Sequence, residues 1–186
     1  MDEFIGASSG NSLFRQEIYL PQAGFPCAEI LLPFIPSLPI LMATRFPRSV
    51  YDKTGGLVYF ARMVDKIRLH AAGDLGKDYI ENLGGGFDGR CCLFLGVKYD
   101  DLKNQALLGG TDDVLFQWCT AHGRKPTADE IADWNDFMIK RGWRDAVSGR
   151  LAMRLKEAKL EHRAGEILTM FDFIEVDEGR EPPKFA

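Results

Sequence analysis

The stretch NLGGGFDGRCC, residues 82–92, decides the fold, because Gly84, Gly86 and Gly89 spell G-x-G-x-x-G. That spacing cradles a dinucleotide's phosphates when it follows a buried strand and opens a long helix in a βαβ unit. Neither condition is met. KDYIEN (77–82) precedes it and is too polar for a central parallel strand, while Gly96 cuts the following helix short. No second strand follows to carry the acidic residue that would hold a ribose. The glycines read instead as a tight turn before Asp88 caps a helix.

The chain outward from that turn is punctuated as helices. LVYFARMVDKIRLHAA (57–72) places Leu57, Phe60, Val64, Ile67 and Ala71 at three- and four-residue steps, and Gly73 supplies a stop. Residues 74–86 read as loop, with at most a turn near Tyr79. A short helix from Asp88 closes at Gly96, and Asp100 caps the next, which runs to Gly109-Gly110. Thr111 starts a helix with Asp112 and Asp113 at its positive end and Val114, Leu115, Trp118 and Cys119 inward, ending at Gly123. PTADE (126–130) is a capping box, Thr127 to Glu130, ahead of Ile131, Trp134 and Met138. Gly142 ends that helix, and Asp145 opens another with Val147, Leu151, Leu155 and Ala158 inward. EILTMFDFIEVDE (166–178) buries Ile167, Leu168, Phe171 and Ile174 before GREPP stops it. The pattern predicts an all-α domain of about six helices, with no strand.

Composition allows a globular core. The 186 residues suit one domain, burying roughly 70% of the unfolded surface. A net charge of −4 argues against a dedicated nucleic-acid binder, which would be basic. The cysteines, Cys27, Cys91, Cys92 and Cys119, form no C-x-x-C pair, and His70, His122 and His162 stand apart, so no metal spacing is present. A reduced, cytoplasmic setting is expected, with no cofactor.

Composition changes near residue 44. The apolar run CAEILLPFIPSLPILMA (27–43) contains Pro33, Pro36 and Pro39 and falls short of the ~20 residues of a spanning helix, so no membrane span is expected. Residues 1–44 read as an irregular extension, residues 45–181 as the helical domain and 182–186 as a tail. MATRFPRS suggests a natural start at Met42.

RFPRSVYDKTGGLVYFARMVDKIRLH, NLGGGFDGRCCLFLGV, GGTDDVLFQWC, GRKPT, WNDFMIKRGWRD and FDFIEVDEGR together closely resemble a bacterial family catalogued as domain of unknown function 5069, over residues 45–181. The resemblance implies a start near Met42 and carries no activity, cofactor or catalytic residue.

Two polar constellations remain. Arg62, Lys66 and His70 share a face of the first long helix, with Asp65 three residues from Arg62 and Arg68. Asp88 and Arg90 sit at a helix start after the glycines, where Arg90 could fork onto a phosphate or carboxylate. The expected ligand site is Arg62, Asp65, Lys66, Asp88 and Arg90, brought together by the glycine turn. Cys91 near a helix N-terminus could be a nucleophile, although a buried, inert thiol is the commoner state. The basic stretch from Lys140 to Arg163 reads as a solvated face, and Asp172 with Glu175 as a weak cation pair. The favoured function is a soluble binding or regulatory module for an anionic small molecule or a protein partner. The alternative is a small cytoplasmic enzyme with Asp65 or Asp88 as acid–base and Arg62 or Arg90 as anion clamp.

Overall fold

The computed structural model describes residues 45–184. The extension, its apolar run, Met42 and Cys27 lie outside them. Among the described residues the chain forms a hairpin, β1 (Lys53–Thr54) and β2 (Leu57–Val58), and eight α-helices. These are α1 (Phe60–Ala72), α2 (Lys77–Ile80), α3 (Gly86–Leu95), α4 (Tyr99–Leu107), α5 (Asp112–His122), α6 (Ala128–Lys140), α7 (Ser148–Glu157) and α8 (Met170–Asp177). The domain is helical as expected, with more helices than the punctuation indicated because Lys77–Ile80 completes a turn of its own.

The hairpin corrects the strand-free reading. Gly55 and Gly56 both have positive φ, 57° and 82°, which suits a two-residue turn between antiparallel strands. Leu57 therefore belongs to β2 and not to the first helix. α6 covers this short edge: the Val58 N–H donates to Asn135 Oδ1 at 3.0 Å, and Asn135 Nδ2 donates to the Gly56 carbonyl at 2.9 Å.

α1 is central. Phe60, Ala61, Met63, Val64, Ile67 and Leu69 are buried on several of its sides, as are Arg62 and Lys66, and it packs against α4, α5 and the hairpin. A helix buried around most of its circumference has no solvated face to spare. Ala71, expected inward, is exposed at the frayed end. The main core adds Leu95, Leu102, Leu115, Trp134, Met138 and Phe171, while Leu151, Leu155, Ile167 and Phe173 form a second cluster between α7 and α8.

Several caps sit where the sequence placed them. Thr111 accepts from the Val114 N–H, the Thr127–Glu130 box is complete, and Gly73 and Gly96 close their helices in the left-handed region. Others moved. Gly85 is the N-cap of α3, so Asp88 lies inside its first turn and reaches back to the Gly84 N–H at 3.1 Å. Lys98 replaces Asp100 as the residue before α4, and Asp145 folds a turn ahead of α7, its Oδ1 accepting from the Val147 N–H at 2.8 Å. α8 begins at Met170, after a second capping box between Thr169 and Asp172. Val114 and Leu168, expected inside, are exposed.

Candidate functional site

The polar residues of α1 face inward. Arg62 and Lys66 are 3% and 4% exposed, and burial on that scale requires each charge to meet a partner. Lys66 Nζ donates to Asp88 Oδ1 at 2.6 Å and to the Tyr59 hydroxyl at 3.2 Å. Tyr59 in turn donates to Asp88 Oδ1 at 3.0 Å, and Asp88, 0% exposed, is completed by the Gly84 N–H on its other oxygen. The glycine turn thus brings the carboxylate to the helix through its own backbone. Tyr59 occupies the left-handed region at φ 74°, an uncommon place for an aromatic residue, and from there its hydroxyl reaches both charges.

Arg62 takes a different acid. Its guanidinium forms a two-pronged pair with Glu178, one arm 2.9 Å long, and donates to the Arg48 carbonyl at 2.7 Å. Glu178, 6% exposed, also accepts from Tyr79 and from Arg180. Arg180 pairs with Glu175 at 2.7 Å, and Glu175 accepts from the Val50 N–H at 2.9 Å. Three cations, Arg62, Lys66 and Arg180, therefore meet three carboxylates, Asp88, Glu175 and Glu178. No buried side-chain nitrogen or oxygen among the described residues is left without a partner.

The electrostatics follow from this enclosure. Burial pushes the Lys66 ammonium down, and Asp88 only partly restores it. Burial pushes Glu178 up, but the Arg62 pair outweighs it, so that carboxyl sits below the usual glutamate range. Tyr59 is pushed well up, first by burial and then by the Asp88 charge.

The five residues singled out from sequence do not form one cluster. Lys66 and Asp88 are joined directly, and Arg62 belongs to the adjoining Glu178 group. Asp65 instead accepts from the Arg48 N–H at 3.0 Å. Arg90 is exposed, with its guanidinium 5.5 Å from the Phe137 ring centre. Neither Asp65 nor Arg90 makes a hydrogen bond or ion pair with the other three.

The sequence reading missed the ion pairs that join Glu175, Glu178 and Arg180 to Arg62. The signal was present: Phe171, Glu175 and Glu178 stand at i, i+4 and i+7, so two carboxylates occupy an apolar stripe. That arrangement also disposes of the cation pair, since Glu175 is spent on Arg180 and Val50, and Asp172 on its cap and the Tyr51 hydroxyl at 2.7 Å. Cys91 is fully buried in the second turn of α3, and burial pushes its thiol well up, so the activated-nucleophile reading is corrected. No cluster of three or more metal-ligating side chains occurs among the described residues.

A separate cleft of about 510 Å3 opens between α4 and α5. Lys98, Asp101, Asn104 and Gln105 line it beside Trp118, on which His122 stacks with ring centres 4.6 Å apart. No side-chain hydrogen bond or ion pair engages Lys98, Asp101, Asn104 or Gln105 among the described residues.

Residues 44–180 match the model of the family described as a domain of unknown function (DUF5069). Among proteins of curated function, none matches this chain.

Proposed function

The chain belongs to the DUF5069 family, and for it we propose a non-catalytic binding module that takes an anionic small molecule or the acidic group of a partner protein at its surface. One observation carries this reading: the buried charges cancel one another, while the α4–α5 cleft gathers four polar side chains that no hydrogen bond or ion pair engages among the described residues. There Lys98 supplies a cation, Asn104 and Gln105 supply donors and acceptors, and Trp118 a half-buried aromatic surface. Asp101 shares the rim and confines an anion to the Lys98 side. In this reading Arg62, Lys66 and Asp88 are structural and line no part of the cleft.

The enzyme reading loses support from access. A general base must reach a substrate proton directly or through one water, yet both oxygens of Asp88 are occupied and the residue is wholly enclosed. Residues 1–44 stand in this reading as an extension outside the helical domain. A cytoplasmic setting fits the three described cysteines, all unbridged. No helix among the described residues is long and apolar enough to cross a membrane.

The test is a thermal-shift screen of the full chain against anionic metabolites, since a ligand that binds only the folded state raises the melting temperature. A stabilising anion whose effect disappears in Lys98→Ala, with the unliganded melting point unchanged, supports the module. Turnover of any screened compound that Asp65→Asn or Asp88→Asn abolishes would replace this reading with the enzyme.

A further inference from the structure

A second surface lies where α3 meets α6. Phe94 of α3 stacks on Trp134 of α6, with ring centres 4.7 Å apart and planes 28° apart. One turn away Phe137 is flanked by two guanidinia, Arg90 at 5.5 Å and Arg141 at 5.3 Å from its ring centre. These contacts hold Phe137 in place although it is 40% exposed. Leu93, three residues after Arg90 on the same helix, is 81% exposed. A large apolar side chain left in water, one turn from an arginine that flanks a fixed aromatic ring, has the composition of an interface centre, where aromatic residues and arginine concentrate. A preorganised ring also loses little freedom when it is covered.

The charges around this centre select the occupant. Arg124 and Arg141 are neutralised by Glu130 and Asp145. Arg90 is not: it flanks the Phe137 ring and makes no side-chain hydrogen bond or ion pair among the described residues. Asp133, four residues before Phe137 and on the same flank of α6, is exposed and makes no hydrogen bond or ion pair among the described residues. The patch therefore carries one cation and one anion that no ion pair commits among the described residues. A surface that must meet its own copy across a two-fold axis needs both signs on the same patch, whereas a uniformly acidic or basic partner would leave one of them opposed.

We propose that Arg90, Leu93, Asp133 and Phe137 form a self-complementary surface through which two copies of this chain associate. Leu93 and Phe137 of each copy cover one another, and Arg90 of one copy meets the acidic flank of α6 on the other.

Sedimentation velocity of the full chain over a range of concentrations tests this. The expected result is a monomer–dimer equilibrium. Arg90→Glu and Asp133→Lys should each weaken it by about ten-fold through like-charge contacts, and combining the two should restore it. Leu93→Ser, at a site too exposed to disturb the fold, should shift the equilibrium to monomer, with the circular dichroism spectrum unchanged. A chain that stays monomeric at every concentration overturns the proposal. So does a dimer indifferent to all three substitutions, or a paired reversal that fails to recover association.

Discussion

The ammonium of Lys66 and the carboxylate of Asp88 lie 2.6 Å apart with almost no access to water, 4% and 0% exposed respectively. A pair so enclosed is costly to break, because removing either member strands the other charge. Lys66→Met is expected to destabilise the domain by about 3–5 kcal/mol in urea unfolding. Lys66→Met combined with Asp88→Asn should recover about 1–3 kcal/mol of that, since the stranded charge is gone. Strictly additive losses would show that the two residues are not a unit.

Glu178 gives the domain an acid limit. Its folded pKa is held low by Arg62 against the upward push of burial, so its stabilisation is complete above the ordinary glutamate value of about 4.3. It is lost as pH falls through the lower folded value. Asp177, raised by burial and by Glu178, works in the opposite direction, but it is more exposed and contributes less. The urea midpoint should fall as the pH drops below about 4.3, and Glu178→Gln should flatten that slope while lowering stability at neutral pH. An unchanged slope in the variant would assign the acid sensitivity elsewhere.

Much of the fold was legible because caps and stops are local chemistry. Thr111, Thr127 with Glu130, Gly73 and Gly96 each act within a few residues, and sequence reading resolves that range. The site was only half legible, for the opposite reason. Lys66 and Asp88 were singled out, but Arg62 meets a carboxylate 116 residues away, at the end of the last helix, and no local spacing links the two. Its burial depends on Phe171 carrying that segment into the core beside Tyr51 and Tyr59. The hairpin escaped notice because strands of two residues are too short to show alternation.

Gly55 and Gly73 separate two costs that sequence alone cannot tell apart. Both have positive φ, but a Cβ at Gly55 would stand 2.1 Å from the Phe116 ring, whereas one at Gly73 meets nothing within 4 Å. Gly73→Ala should therefore cost about 1–2 kcal/mol from backbone strain alone. Gly55→Ala should cost about 2–4 kcal/mol, with overpacking added to the strain. Equal melting-point shifts for the two would contradict the close approach of the hairpin turn to Phe116.

The three described thiols are expected to be silent in the native state. Burial pushes Cys91 well up and Cys92 and Cys119 up to about 12, leaving little thiolate at neutral pH. Labelling with a disulfide reagent, mapped by peptide mass spectrometry, should track global unfolding at all three. Rapid modification of Cys91 in the folded protein would reopen the nucleophile reading.

A chain begun at Met42 should melt within a few degrees of the full one, because the named core and the paired charges lie within residues 45–184. An aggregated or molten product from that truncation would mean that the first 41 residues cover core surface.

Synthesis from the ribosome meets the Arg62–Glu178 pair in a fixed order. The cations of α1 emerge early, the partner of Lys66 follows 22 residues later, and the partner of Arg62 only after 116. Until Glu178 and Arg180 have left the exit tunnel, the central helix cannot bury Arg62 without stranding its charge. Closure of this domain is thereby tied to synthesis of the segment that carries Glu178: a chain cut short before it would have no means of sealing its centre, and so would be an open substrate for the cell's proteases.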